Sequence, residues 1–431
     1  MTHFGIFCLG GTGHLNTMLP LGVELRRRGH QVTVFSDARA ELRTLEAGLN
    51  FETIAGAEVD PNRAKLTGLR ALWHGIHAFR TRVIVSLRET PTIIRQAGVE
   101  ALLVDMSAFE GGAIADSVQL PYITVCSSLA LYQDNYVPPT LTTWSYNPAW
   151  YFRLRNWLAY KLLWLLSRPV WSVIADYRKQ YNLPAYSTYN DCFSKLAIIS
   201  QQVAELEFPR HELPSHFYFT GPFHSSIGRS KVDFPFEQLN DLPLIYVSLG
   251  TSRNRLKNLF RLIAEACATL EVQLVISLGG GLEPEEVLEL PGNPIVVKYA
   301  PQLELLERAS LCITHGGMNT ALEALNHAVP LIAIPVADDQ LGTAARIAWS
   351  GVGEWLPLSG LTASELRDVI QWVLGHKSYN YHAIRLQSAI HSSGGVKYAA
   401  DIIEAVIKEE KKQSESNKSS ESASQVSLQS Q

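Results

Sequence analysis

The chain is predicted to be an α/β protein built from two parallel-sheet halves, and three observations carry that prediction. Residues 4–9 form a short apolar run that ends in Gly10-Gly11-Thr12-Gly13, followed by helical periodicity over 15–28 and a second apolar run at 31–35. The order restarts at 244–249, LIYVSL, which runs into Gly250-Thr251. It recurs at 311–314, with His315-Gly316-Gly317, a helical pattern over 319–327 and an apolar run at 331–335. Strand, glycine turn, helix, strand is a parallel βαβ unit, because parallel neighbours need a crossover connection.

Each element follows from local pattern. In the first half, Arg26-Arg27-Arg28 close the first helix, where positive charge suits the C-terminal end of the dipole, and Gly29 stops it. Residues 101–104 and 122–125 read as strands separated by a helix over 111–118, and 196–199 as the last strand of this half. Residues 221–243, with their Pro, Ser and charge, read as a linker. A helix over 259–270 and strands at 273–277, 295–298, 311–314 and 331–334 continue the second half. The expected organisation is a first domain over 1–220, a second over 244–380 and a helical segment over 381–408. The tail, 409–431, is rich in Lys, Glu, Ser and Gln and is expected to be disordered.

Composition bounds the rest. With 431 residues the chain is too long for one ordinary core and suits two. A formal net charge of −4 argues against a general nucleic-acid binder, which would be basic. The five cysteines (Cys8, Cys126, Cys192, Cys267, Cys312) form no C-x-x-C pair and read as core thiols of a reducing compartment. MTHFGIFCLGG has no basic region or cleavage site and leads straight into a strand, which argues against a signal peptide. Residues 157–175 approach a membrane span, but Lys161, Arg168 and Pro169 interrupt it, so a buried or interfacial helix pair is expected. A cytoplasmic monomer is the expectation.

The chemistry concentrates at the glycine turns. Ligands of open α/β sheets sit at the carboxyl ends of strands, where all of these turns fall. His14 follows the first turn at a helix start, where the dipole disfavours a protonated imidazole, so a neutral base is expected. Asp105 ends the run Leu102-Leu103-Val104, where a carboxylate could orient His14. The alternative for each is a helix cap. Asp116 falls inside the expected helix and is the weaker carboxylate. Glycines before a helix N-terminus let an anion approach unpaired N–H groups, so a diphosphate would fit at 315–320.

Residues 300–340 resemble the donor-binding signature of UDP-dependent glycosyltransferases with the GT-B fold. The matching residues are Pro301-Gln302, His315, Gly317, Asn319-Thr320, Glu323, Val329-Pro330 and Asp339-Gln340. The Gly13-His14 pair resembles the family's general-base segment. Tyr299, Met318 and Ala328 depart from the pattern, at two Trp and one Gly position respectively. The resemblance implies two Rossmann-like domains facing across a cleft, with a last helix near 399–408 packing back on the first domain. It implies that His14, oriented by Asp105, deprotonates an acceptor hydroxyl and that configuration inverts. It also implies that Gly13, Thr251, His315, Gly317, Asn319 and Thr320 meet the diphosphate. Gln302 would meet the base edge, Glu323 the ribose, and Asp339 with Gln340 the sugar, with Gln340 typical of glucose users. An ordinary helix-face role is the alternative for Glu323.

The implied co-substrate is a UDP-sugar, UDP-glucose foremost, with no tightly bound cofactor. No metal is expected, since no Asp-x-Asp pair is present and the pair His74 and His77 lacks acidic partners. The aromatic stretch 144–171 reads as helix packing or as a wall for a lipophilic acceptor such as a carotenoid, sterol-like or polyketide hydroxyl. Lys161, Arg153 and Arg155 would then meet a membrane surface. Two other enzyme classes compete. A dinucleotide or flavin oxidoreductase would use Asp37 on a ribose, but residue 16 is Asn where G-x-G-x-x-G needs its third glycine. A sugar-nucleotide epimerase would need acidic residues in the cleft and no acceptor site.

Overall fold

The computed structural model describes residues 1–54, 68–225, 227, 229, 232–251, 254–287 and 289–429, with backbone alone over 68–72, 414 and 417–429. The first sheet holds β1 (His3–Phe7), β2 (Gln31–Ser36), β3 (Asn50–Thr53), β4 (Ala101–Asp105), β5 (Tyr122–Cys126), β6 (Ile198–Ser200) and β7 (Phe217–Phe219). They run parallel in the order β3-β2-β1-β4-β5-β6-β7. Around them lie α1 (Thr12–Arg27), α2 (Glu41–Glu46), α3 (Gly68–Ala97), α4 (Gly111–Ser117) and α5 (Trp150–Gln180).

The second sheet holds β8 (Leu244–Ser248), β9 (Gln273–Ser277), β10 (Ile295–Val297), β11 (Ala309–Thr314), β12 (Leu331–Ala333) and β13 (Gly353–Trp355). Its strands are also parallel, in the order β10-β9-β8-β11-β12-β13. Its helices are α6 (Lys257–Cys267), α7 (Gln302–Leu306), α8 (Met318–Asn326), α9 (Gln340–Trp349), α10 (Ala363–Gly375), α11 (Lys377–Ser392) and α12 (Gly395–Gln429). In each sheet the winding reverses once, between β1 and β4 and between β8 and β11. A crevice opens at such a reversal because the flanking connections leave on opposite sides.

The strands are near-continuous apolar runs because helices cover both faces. In the first domain Ile6, Leu103 and Val125 pack with Leu15, Leu19 and Leu25 of α1. The last helix joins that core through Ile403 and Ile407. Arg28 ties it down with 2.6 Å hydrogen bonds to both Asp401 and Glu404. The arginines at the end of α1 thus serve a docking contact as well as the helix dipole. The two domains also meet at a buried ion pair, where Arg346 of α9 donates from Nε to Glu207 at 2.6 Å and stacks on Phe208.

Several expectations are corrected. The sheets gain edge strands β3, β7 and β13, which are only three or four residues long and carry little periodicity. The segment 157–175 belongs to one 31-residue helix, not a helix pair, and Pro169 sits inside it. Much of that helix is exposed rather than buried. Helical backbone continues in α12 as far as Gln429, within the stretch 409–431 that is expected to be disordered. Its Lys, Glu and Gln residues are good helix formers even with nothing to bury.

Candidate active site

β1 delivers the chain into the reversal crevice of the first sheet, and α1 begins there with His14 in its first turn. β4, the neighbour across that crevice, ends on Asp105. The two side chains meet, with His14 Nδ1 2.6 Å from Asp105 Oδ2. Asp105 is fully buried while His14 is a quarter exposed, so the pair points from the core toward solvent. Asp105 Oδ1 accepts from the Ser107 N–H and the Ser127 hydroxyl, each at 2.9 Å. Ser127 Oγ also lies 2.8 Å from His14 Nδ1. Both carboxylate oxygens are satisfied. The Nδ1 proton is therefore shared toward Asp105, and Nε2 keeps the lone pair.

The electrostatics correct one expectation. Burial works against the charged form of His14, but the adjacent Asp105 carboxylate and its hydrogen bond outweigh it, and the pKa is raised above the ordinary 6.5. The helix dipole does not decide the matter. Burial likewise opposes ionisation of Asp105, yet the His14 charge and the hydrogen bonds to that carboxylate hold its pKa below 3.8.

The second domain faces this pair. A cavity of about 1370 Å³ runs between the domains, lined by His14 and Gly13 on one side. On the other it is lined by Thr251, Gln302, His315, Gly317, Asn319, Thr320, Asp339 and Gln340. Both sheet reversals open into it. The His315 ring sits between two glycines, and a Cβ on Gly250 or on Gly317 would come within 2.6 Å of it. Gly250 also has φ +76°, where a side chain is strained. Burial pushes the His315 pKa down to about 4, so its imidazole is neutral at pH 7 and offers an N–H rather than a charge. Gly317 caps α8, leaving the first N–H groups of that helix turned to the cavity end.

Not every expected residue presents its side chain to the cavity. Asn319 Nδ2 donates to Gly13 O at 2.7 Å, and its Oδ1 accepts from Gln201 at 2.8 Å. Its side chain thus fastens α8 to the first domain, and its second Nδ2 hydrogen and its backbone N–H are left for an anion. Glu323 is 2% exposed and outside the cavity lining, behind Gln302. Its carboxylate accepts from Gln302 Nε2 at 2.6 Å and pairs with Arg229 of the linker. Gln340 Oε1 accepts from the N–H groups of Val336 and Ala337, both at 3.0 Å, so its NH2 group is what it can offer. Asp339 accepts from the Leu129 N–H at 3.4 Å, and burial raises its pKa above 3.8. Asp37 is engaged by the Gly10 N–H and by Arg39 rather than open to a ribose. Asp116 is ion-paired with Arg178 at 2.6 Å, away from His14.

Sequence reasoning missed Ser127, Gln201 and Arg229. Nothing near them marks a site, since Ser127 lies 113 residues from its histidine partner. Beyond His14 the cavity turns apolar. Phe109 and Trp171 each meet Tyr189 edge to face and are tilted against one another, with centroids 5.4–5.8 Å apart, and Leu131, Trp164 and Val170 continue the wall. No group of three or more His, Cys, Asp and Glu side chains placed to hold a metal occurs among the described residues. His77 packs against Trp73 with ring centroids 4.0 Å apart.

Known proteins share this architecture. The family model for UDP-glucoronosyl and UDP-glucosyl transferase matches residues 112–404. A zeaxanthin glucosyltransferase of Pantoea ananas is 31% identical over 94% of this chain and 96% of its own length. An NDP-glycosyltransferase, YjiC, of Bacillus subtilis (strain 168) is 27% identical over 94% and 97%. Among solved structures, CalG4, the calicheamicin glycosyltransferase, superposes with a TM-score of 0.75 at 23% identity, covering 94% of this chain and 98% of that one. VinC, solved in complex with dTDP, superposes with a TM-score of 0.68 at 18% identity, covering 94% and 100%. The chain belongs to the UDP-glucoronosyl and UDP-glucosyl transferase family, and is a glycosyltransferase of GT-B fold that takes a nucleotide-sugar donor and a small-molecule acceptor.

Proposed function

We propose that this protein transfers glucose from UDP-glucose to the hydroxyl of a lipophilic small molecule, with inversion at the anomeric carbon. The observation that carries the reading is the His14–Asp105 pair, held at 2.6 Å where the apolar and polar ends of one cavity meet. His14 Nε2 takes the acceptor O–H proton as that oxygen forms its bond to the anomeric carbon. The bond from that carbon to the phosphate oxygen breaks on the opposite face, and UDP leaves with the electron pair. Asp105 stabilises the imidazolium and Ser127 holds Asp105 in place. The α8 N-terminus, the His315 N–H, Gly13 and Thr251 stabilise the departing diphosphate.

Gln302, set by Glu323, would meet the base edge, and Tyr299 is exposed where a base could stack. Asp339 and the NH2 of Gln340 would meet the glucosyl hydroxyls. Similarity to a zeaxanthin glucosyltransferase supports a carotenoid-like acceptor, as does the aromatic end of the cavity. The test is product detection with UDP-glucose and a panel of lipophilic and hydrophilic alcohols. His14→Ala should abolish transfer while UDP-glucose still binds. Turnover of hydrophilic phenols alone would overturn the acceptor class, and unimpaired transfer by His14→Ala would overturn the mechanism.

A further inference from the structure

The outer face of α5 is an apolar feature that the proposed reaction leaves unused. Trp150, Leu154, Trp157, Leu158, Leu162 and Leu165 are all exposed, with Trp150 at 72% and Leu162 at 56%. They recur three or four residues apart, so they share one side of the helix. A single exposed Leu means nothing, but a contiguous stripe several turns long is rare on a soluble monomer and marks a contact surface. The opposite side of the same helix is used differently. Leu163, Val170 and Trp171 line the apolar end of the cavity, and Trp164 both lines it and is 45% exposed.

The charges within the stripe are all positive. Lys161 lies over the Trp157 ring at 5.7 Å and Arg168 over Trp164 at 5.6 Å, both side chains at the solvent side. The first carboxylate in the helix is Asp176. Arg153 and Arg155, by contrast, are turned onto Tyr136 and Trp144, so they are not part of the face. Tryptophan, leucine and cations with no acidic residue suit the boundary between headgroups and acyl chains. There the rings sit at the polar boundary and the cations meet anionic headgroups. No helix among the described residues is long and apolar enough to cross a membrane, so contact along the helix side is the geometry available. A second copy fits less well, because a two-fold contact through this stripe would oppose Lys161 and Arg168 to their own copies with no carboxylate between.

We infer that the exposed face of α5 docks the protein on an anionic lipid surface, with Trp164 at the entrance from that surface to the acceptor end of the cavity. The delivery of an acceptor along this route rests on the proposed lipophilic acceptor; the docking itself does not.

The experiment is flotation of the full chain with extruded vesicles of phosphatidylglycerol and phosphatidylethanolamine, against vesicles of phosphatidylcholine, with no donor or acceptor present. The wild-type protein should float with the anionic vesicles and lose binding as salt rises. Leu158→Glu/Leu162→Glu, which touches neither the cavity lining nor the core, should cut partitioning about tenfold or more. Lys161→Gln/Arg168→Gln should cut it roughly fivefold or more on anionic vesicles only. UDP-glucose binding and the thermal midpoint, measured on each variant, report that the fold is intact. Equal flotation of the wild type and the Leu158→Glu/Leu162→Glu variant, or none by the wild type, overturns the inference. A dimer in sedimentation velocity that the same variant dissolves, without vesicle binding, assigns the face to a second copy instead. Failure of transfer to lipophilic alcohols with vesicle binding retained would remove the proposed acceptor and leave the docking face standing.

Discussion

Replacing Asp105 by Asn isolates the catalytic pair. The side chain keeps its volume in a fully buried site, and the Ser107 and Ser127 donors can still reach its carbonyl oxygen. The oxygen 2.6 Å from His14 becomes an amide, which bears no charge to stabilise an imidazolium and can itself donate to Nδ1. Donation there would move the ring proton to Nε2, the position that must accept the acceptor's proton. A charge-assisted hydrogen bond is worth about 1.5–3 kcal/mol, and loss of general-base assistance costs about 10²–10⁴-fold. At about 1.4 kcal/mol per tenfold the first is about 10–10²-fold; both describe the same lost assistance, so they bracket the loss in kcat, which should fall between about 10- and 10⁴-fold. The assay is single-turnover formation of glucosylated acceptor, alongside calorimetric titration of UDP-glucose, whose affinity should be unchanged because Asp105 lies outside the cavity lining. A kcat within about threefold of the wild type, or a loss confined to donor affinity, would refute the assignment.

Other outcomes follow from the same geometry. Because His14 must be neutral to act and its pKa is raised by Asp105, kcat/KM should climb with pH along a limb centred above 6.5, and Ser127→Ala should move that limb. Stopped-flow or initial-rate profiles against pH would read it. Glu323→Ala frees Gln302 and Arg229 together and should weaken UDP-glucose binding by about 1–3 kcal/mol in titration, with a smaller effect on single-turnover chemistry. Glu207→Leu strands Arg346 and Arg210 at the buried domain contact and should destabilise the protein by about 3–5 kcal/mol in urea unfolding. Adding Arg346→Met should recover part of that loss, since one unpaired buried charge is removed.

The parts of the site that could be read in the chain are those set by neighbours in sequence. Gly10–Gly13, Gly250 and Gly316-Gly317 mark strand-to-helix turns because only a few residues and their φ angles decide such a turn. The apolar runs around them specify buried parallel strands without reference to anything distant. The family resemblance then supplied roles for residues at those turns. It placed Glu323 and Asn319 in direct contact with the donor; the structure adds the partners of their side chains, Gln302 and Arg229 for the one and Gly13 and Gln201 for the other.

By itself, the sequence determined two α/β halves, the strand-end placement of His14, Asp105 and the donor segment, and an aromatic stretch of undecided use. The order of strands decided what it could not. β1 and β4 are adjacent only because the sheet reverses between them, and that adjacency brings Asp105 to a histidine 91 residues away. Ser127 joins them from the loop after β5, and the upward shift of the His14 pKa appears only once that buried carboxylate is beside it. The fate of α5 was equally a tertiary matter. Hydrophobic periodicity says that a helix has an apolar side, but which side is covered depends on what packs against it. Here one side walls the cavity and the other is left to solvent.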